Sequence, residues 1–199
     1  MKKNLLSLMT ALFLGSAALS AQTVTDKGEG KYALRVGDVT MVVDASRGGK
    51  IVSYKYGDKE ILSQTRMPNS FGSTFWTSPQ SEWNWPPVPE YDTKPFNAEV
   101  AGDKLVLTGE KSGRFGYRVR KEFVADSKDK AIVITYTIVN ESGETRKVAP
   151  WEISRVPNGG ILFFDAKEVT PANNMVGLPF EYKLKAAWYT LDEARANRK

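Results

Sequence analysis

The stretch YALRVGDVTMVVDASRGGKIVSYKYGDKEILS, residues 32–63, decides the fold class of this chain. Runs rich in β-branched and aromatic residues alternate in it with the pairs Gly37-Asp38, Gly48-Gly49 and Gly57-Asp58. Such pairs form the tight turns that join neighbouring strands of a β-hairpin. The stretch therefore predicts successive antiparallel strands connected by short turns.

A second series of strand-like runs begins after residue 96. In KAIVITYTIVNES, residues 130–142, apolar side chains recur at every second position, as they do on one face of a strand: Ile132, Ile134, Tyr136 and Ile138. The opposite face of this run is also largely apolar or β-branched, which predicts burial on both faces. No segment before Pro179 carries apolar residues at helical spacing over the length of a helix. The chain is therefore predicted to be all-β, an antiparallel β-sandwich.

The first residues have the layout of a secretory signal peptide. Two lysines follow the initial Met, residues 5–14 form an apolar centre, and Ala18, Ser20 and Ala21 are the small residues that a signal peptidase requires. We therefore predict a signal peptide over residues 1–21. The expected location is secreted or periplasmic, in a bacterium, with no membrane contact after the signal is removed.

The remaining chain divides into two predicted parts. The sandwich domain is expected over residues 22–180. The end of the chain loses the alternating pattern and becomes charged, which predicts a separate tail over residues 181–199 with a short helix over residues 191–197.

The composition excludes several classes of function. The chain of 199 residues has no Cys and no His, which excludes disulfides, His-based nucleophilic catalysis and His-ligated zinc. We therefore expect no metal site and no cofactor. The formal net charge is +5, but the basic residues form no cluster of the kind that nucleic acid requires, so a nucleic-acid partner is not expected. The composition leaves the oligomeric state open.

Three tryptophans, Trp76, Trp83 and Trp85, lie in the stretch FGSTFWTSPQSEWNWPPVPEYDTKPF, residues 71–96. Its five prolines fix φ and withhold backbone donors, which predicts a long but stiff loop and not a strand. A rigid loop can present aromatic rings to a ligand at a low cost in entropy. A sugar ring has an apolar face of C–H groups and an edge of hydroxyls, so it suits flat rings flanked by polar groups. The loop therefore predicts a carbohydrate ligand.

Polar side chains around these rings are candidates for hydrogen bonds to sugar hydroxyls. Arg47, beside two turn glycines, and Trp151, farther along the chain, complete the candidate site. The predicted ligand-binding residues are Arg47, Trp76, Gln80, Glu82, Trp83, Trp85, Glu90 and Trp151; Asn84 and Asp92 are further polar candidates in the loop. The alternative is that the loop is a lid, with its rings closing one open end of the sandwich.

A second group of candidates lies in APWEISRV, residues 149–156. On a strand, Glu152 points away from the face that carries Trp151 and Arg155, unless a bulge intervenes. One interpretation is a surface ion pair between Glu152 and Arg155. The other makes them catalytic, with Glu152 as a buried acceptor or general base and Arg155 stabilising developing charge.

Two segments suggest a family. DVTMVVDASRGGKIVSYKYGDKEIL, residues 38–62, resembles the opening of galactose mutarotase-like proteins, and TYTIVNESGETRKVAPWEISRV, residues 135–156, resembles their central unit. With FWTSPQSEWNWPP, residues 75–87, and APWEISRVPNGG, residues 149–160, the chain is most similar to poorly characterised, secreted bacterial members. The resemblance covers residues 32–166.

This resemblance implies a large antiparallel sandwich of the supersandwich type, whose concave sheet face binds a carbohydrate. Aldose epimerases of similar fold use a glutamate base with histidine partners, and this chain has no His. The resemblance ends before the region of the family's catalytic glutamate, which predicts a C-terminally shortened sandwich without the final strands. Such a sandwich could expose an unpaired sheet edge and aggregate.

Two functions stay open. One is a carbohydrate-binding protein without turnover. The other is an aldose 1-epimerase-like enzyme, or a related carbohydrate-active enzyme, in which Glu152 or Glu82 takes the proton and Arg155 stabilises charge.

Overall fold

The computed structural model describes residues 23–65, 70–166 and 180–191. These residues form fourteen strands, one short α-helix and one turn of 3₁₀-helix. The strands and the α-helix, in chain order, are β1 (Val24–Asp26), β2 (Lys31–Val36), β3 (Val39–Asp44), β4 (Lys50–Tyr56), β5 (Lys59–Glu60), β6 (Ser73–Ser78), α1 (Pro89–Asp92), β7 (Asn97–Ala101), β8 (Lys104–Thr108), β9 (Tyr117–Asp126), β10 (Ala131–Asn140), β11 (Ala149–Ser154), β12 (Ile161–Asp165), β13 (Glu181–Lys183) and β14 (Ala186–Thr190).

The strands form three antiparallel sheets, which confirms the all-β prediction. The first sheet has the order β1-β2-β3-β4-β6-β11, with β5 paired to β4. The second has the order β10-β9-β8-β7, and the third the order β12-β14-β13. The first two sheets pack face to face in a sandwich-like arrangement, and their inner side chains form one core that includes Leu34, Val43, Leu105, Val119 and Phe123.

Strand β9 shows how the sequence positions the core. Tyr117, Val119, Phe123 and Ala125 are buried, and the residues between them are partly exposed. This is the period of two that a pleated strand imposes. The fifth inward-facing residue of β9 is the charged Lys121, which is also buried.

Strand β10 is less buried than predicted. Val133, Thr135 and Val139 on its outer face are exposed, and its inner face is only half-buried. The prediction of burial on both faces is therefore wrong. The physical reason is position: β10 has one strand neighbour, β9, and lies at the edge of the second sheet, as β11 lies at the edge of the first.

The proline-rich stretch at residues 71–96 begins as a strand, so the loop prediction is wrong for its first part. β6 is almost fully buried, and it ends at Ser78 because Pro79 cannot continue the ladder. After it come the 3₁₀ turn Gln80–Glu82 and helix α1, whose first residue is Pro89, the position where a helix tolerates proline best. The residues after Ser78 form the predicted ordered, non-strand connection.

The chain end also differs from its prediction. Strands β13 and β14 form a hairpin paired with β12, so residues 181–190 of the expected separate tail belong to a sheet. The side chains of Ala187 and Tyr189 are buried, alternating with more exposed neighbours. The predicted signal peptide, residues 1–21, lies outside the described residues. Of the predicted helix at residues 191–197, only the first residue is described. Within the described ranges, no helix has the length and apolar character needed to cross a membrane.

Candidate functional site

Four tryptophans pack together on the outer face of the first sheet. Trp76 on β6 lies directly opposite Trp151 on β11 in the strand register. The neighbouring residue Phe75 points inward, where its ring stacks on Tyr136 of the second sheet, so Trp76 points away from the sandwich core. The loop after β6 folds back over this face and adds two more indoles to the cluster.

The indoles of this cluster contact one another edge to face. The ring centroid of Trp76 lies 5.7 Å from Trp83, 6.0 Å from Trp85 and 5.7 Å from Trp151. Edge-to-face contact brings the positive edge of one ring to the negative face of another, which stabilises such pairs beyond simple burial. Trp76 is therefore the centre on which the other three rings are positioned.

The three loop tryptophans differ sharply in exposure. Trp83 is only 3% exposed, and its Nε1 donates to the carbonyl of Thr77 at 2.9 Å. Trp83 is packed among its neighbours with almost no open surface, so the fold lends no support to the prediction that it contacts a ligand. Trp76 is 8% exposed and its Nε1 donates to Asp92 Oδ1 at 2.9 Å. Trp85 is 69% exposed. The lid interpretation thus describes Trp83, whereas Trp85 is open to solvent.

A cavity of about 250 Å³ lies beside this exposed ring. Trp85, Pro86 and Pro87 line one side of it, and part of the Trp76 ring is also in its lining. The remaining lining residues are polar or charged, namely Arg47, Lys50, Ser70, Thr74, Asp92, Thr93 and Arg155. The cavity therefore combines a flat aromatic edge with groups that can donate and accept hydrogen bonds.

The two predicted arginines reach this cavity from different elements. Arg155 follows β11, and its Nη1 donates to Thr74 Oγ1 at 3.0 Å. Arg47 lies in the turn between β3 and β4, where its guanidinium is 5.8 Å from the ring centre of Phe71. The sequence placed both among the candidates, and the fold brings both to one cavity with Trp76 and Trp85.

Of the predicted polar loop residues, Asp92 lines this cavity, whereas Glu82 and Glu90 do not. Glu82 accepts from the Tyr117 hydroxyl at 3.4 Å, and its carboxylate is 3.5 Å from Arg146 Nη1, so it ties the loop to the second sheet. Burial, and then the charge of Glu82, raise the pKa of Tyr117 above its usual value. Glu90 forms an ion pair with Lys94 at 3.2 Å. These two carboxylates have structural partners within the protein, and their contact with a ligand stays a prediction.

Gln80 and Trp151 line a separate, open hollow on the other side of the cluster. Gln80 Nε2 donates to the backbone carbonyl of Asn84 at 3.3 Å. The hollow is bounded by Pro79 and Pro150, with Trp151 at its base. These two predicted ligand contacts therefore lie apart from the pair of arginines.

Glu152, an exposed residue of the edge strand β11, points into an open groove between the two sheets, so it is not the buried acceptor of the second interpretation. Its carboxylate accepts from Ser73 Oγ, and the groove, of about 290 Å³, is also lined by Ser154 and Tyr136. Burial, followed by the nearby charge of Glu152, raises the pKa of the Tyr136 hydroxyl. The rest of the groove lining is mainly aliphatic.

Glu152 and Arg155 consequently lie on opposite faces of the first sheet, as strand alternation predicted. No ion pair links them within the described residues, so the surface-pair interpretation is wrong. They line different cavities, so they cannot act together on one small substrate as a catalytic pair.

Sequence reasoning missed four polar or charged lining residues, Lys50, Ser70, Thr74 and Thr93. Lys50 is 5% exposed and its Nζ lies 4.2 Å above the ring of Phe71; Thr74 and Thr93 add hydroxyls. A lysine at the start of a strand is ordinarily solvated, and only the packing of the turn against Phe71 turns it toward the cavity. In the part of the chain that the structure describes, no cluster of three or more Asp, Glu, His or Cys side chains could hold a metal ion.

Comparison with known proteins adds no assignment. No family model matches the chain, and no curated protein matches it. The resemblance to galactose mutarotase-like proteins stays a prediction.

Proposed function

We propose that this protein binds carbohydrate, with one sugar ring stacked on Trp85 at the mouth of the cavity. The observation that carries the proposal is the exposure of the Trp85 ring beside a cavity lined with polar groups. Sugar recognition needs both features, an apolar plane and hydrogen-bonding groups at its edge.

The Trp85 ring is held in place although it is exposed. Its edge-to-face contact with Trp76 sets its tilt, with an interplanar angle of 83°, and Pro86 and Pro87 fix the backbone that follows. A ring fixed before binding loses little conformational entropy when a ligand stacks on it. The arrangement therefore favours binding through this ring.

The polar lining supplies partners for hydroxyl groups. Thr74 and Thr93 carry hydroxyls that both donate and accept, Asp92 has a second carboxylate oxygen besides the one bonded to Trp76, and Arg155 donates. The volume is below the roughly 300–1,000 Å³ of pockets that enclose a drug-sized ligand. We therefore infer that the cavity takes one ring, or the end of a chain, while adjoining sugars lie outside it.

The enzymatic alternative has less support. Among the described residues that line the cavity, Asp92 is the only carboxylate, and one of its oxygens accepts from Trp76. The other candidate base, Glu152, lines the separate groove between the two sheets. Acid–base chemistry on a sugar ring needs an acid and a base that reach the same substrate, so binding without turnover fits this geometry better.

The finer parts of the assignment are proposals as well. We propose a sandwich of the galactose mutarotase-like type, on the antiparallel sheets and the two resembling segments, and export by the N-terminal signal, on its charge and hydropathy pattern. Neither is needed for the binding argument, which rests on the cavity.

A glycan array tests the proposed function. The wild-type protein is expected to bind a subset of saccharides, and Trp85→Ala is expected to lose at least about tenfold in affinity for them. Tyr56→Ala is the matched control, because Tyr56 is also a largely exposed aromatic residue but lies at the β4–β5 turn, away from the cavity. Absence of binding to any saccharide, or equal binding by Trp85→Ala, would contradict the proposal.

A further inference from the structure

The cavity beside Trp85 has a positive charge balance. Among the lining residues that the structure describes, three side chains are cationic, those of Arg47, Lys50 and Arg155, and one is a carboxylate, that of Asp92. We propose that the bound saccharide is acidic, carrying a carboxylate or sulfate group that enters this cavity. This inference rests on the proposed carbohydrate function and narrows it to a ligand class.

Arg155 is the best-placed receptor for the anionic group. Its backbone is fixed, because its N–H donates to Gly72 O at 3.0 Å and its carbonyl accepts from Ser63 N at 2.7 Å. One guanidinium nitrogen donates to Thr74 Oγ1, and the guanidinium carbon lies 5.9 Å from the ring centre of Trp76. Arg155 forms no ion pair with any carboxylate of the described residues. A guanidinium held in this way keeps donors for the two-pronged bonding that carboxylate and sulfate oxygens accept.

Arg47 and Lys50 bring two more charges from one anchored turn. The N–H of Lys50 donates to Arg47 O at 3.2 Å, and Gly48 N donates to Lys94 O at 2.8 Å. Lys121 Nζ holds the turn from below by donating to Gly48 O at 2.7 Å. The turn that carries both cations is therefore fixed before any ligand arrives.

Burial strengthens the effect of these charges. Lys50 lies almost entirely inside the protein, with the face of Phe71 against its ammonium group. Charges attract more strongly where water is largely excluded, and hydrogen bonds to ionised groups are about twice as strong as neutral ones. An anionic ligand group gains from this environment, whereas a neutral hydroxyl gains only its hydrogen bonds.

Asp92 does not cancel this positive charge. One of its oxygens accepts from Trp76 Nε1, which fixes the carboxylate against the indole cluster. Its other oxygen is suited to accept from a hydroxyl of the ligand. The cavity thus has cationic residues that can bind the acidic group of the ligand, and a carboxylate and an aromatic ring that can bind its sugar ring. An inorganic anion could use only the cationic residues, so this combination favours an acidic saccharide over a simple inorganic anion.

The test compares matched oligosaccharides on an array, each uronate or sulfate ester beside its carboxyl-reduced or desulfated form. The wild-type protein is expected to bind the acidic member at least about tenfold more tightly, and less so as salt is raised. Arg155→Gln is expected to weaken binding of the acidic members much more than binding of the neutral members, and so to remove most of this preference. Arg35→Gln, which changes an exposed arginine on β2, is the matched control and should keep the preference.

Each outcome decides between the two proposals. Equal binding of acidic and neutral members, lost in Trp85→Ala, would overturn the acidic-ligand inference and leave carbohydrate binding standing. Absence of all saccharide binding would overturn both. Should Arg155→Gln fail to fold, Arg155→Lys replaces it, since a lysine keeps the charge but loses the two-pronged geometry. Competition by inorganic sulfate as strong as by the sulfated sugar would also contradict recognition of the saccharide.

Discussion

Lys121 leads to a specific prediction about pH and stability. It is the one charged residue on the inner face of β9, only 1% exposed, and its Nζ donates to Gly48 O at 2.7 Å and Gly49 O at 3.3 Å. The rings of Phe75 and Phe96 lie near the same nitrogen, at 5.4 Å and 5.3 Å. Burial lowers the pKa of Lys121 to about 8, while the charges of neighbouring carboxylates act in the opposite direction.

The size of the effect follows from the two states of this amine. In the unfolded chain Lys121 has its ordinary pKa of 10.5, so between pH 8 and 10.5 the unfolded state binds more protons than the folded state. Stability therefore rises with pH in this window. Between pH 7 and pH 9.5 the contribution of Lys121 to the free energy of unfolding is expected to rise by about 2 kcal/mol.

Denaturant unfolding followed by tryptophan fluorescence measures this change. The wild-type protein and Lys121→Met are compared at several pH values from 7 to 9.5, and the difference between their slopes isolates the amine. The range stops there because burial raises the pKa values of Tyr91, Tyr117 and Tyr136, which lowers stability as pH rises above about 10. Lys104→Met is the control, since Lys104 is a more exposed lysine on β8, paired with Glu122.

Parallel pH curves for the wild-type protein and Lys121→Met would refute the reasoning, because they would mean that the buried amine has the same pKa in both states. If Lys121→Met does not fold, the wild-type curve itself decides the question. A flat or falling curve from pH 7 to 9.5, matched by that of Lys104→Met, would contradict the prediction.

Two further predictions concern the loop and the turn that form the cavity. Trp83→Ala is expected to cost about 3–5 kcal/mol in the free energy of unfolding because the indole is buried, whereas the exposed Trp85→Ala should cost under about 1 kcal/mol; equal losses in denaturant titrations would be the contrary result. Gly48→Ala is expected to cost at least about 2 kcal/mol, since Gly48 has φ +63° and an added Cβ would lie 2.3 Å from the carbonyl oxygen of Asp92. Gly57→Ala, with φ +57° and open space around the added Cβ, should cost only about 1 kcal/mol, and thermal melts that rank the two glycine variants in the reverse order would contradict the steric argument.

The strands were largely predictable because their signals are local. The alternation of side chains can be recognised within one strand, and each Gly-containing turn, at residues 37, 48 and 57, within a few residues. Strands β2, β3 and β4 form where these signals predict them. The sequence did not predict strand β6, because the prolines that follow it led to the prediction of a loop over the whole segment. The burial of β10 was overestimated because the sequence of a strand does not show whether the strand lies at the edge or in the middle of its sheet.

The candidate site was predictable in composition but not in geometry. The sequence alone determined that rigid indoles and charged groups occur together, and that Glu152 and Arg155 point to opposite faces of one strand. Only the tertiary structure decided that Trp83 is sealed in the core, that Trp85 stays open, and that Lys50 joins Arg47 and Arg155 at one cavity. The physical reason is that exposure and convergence depend on contacts between residues far apart in the chain, such as Arg155 and Thr74, and no local pattern encodes those contacts.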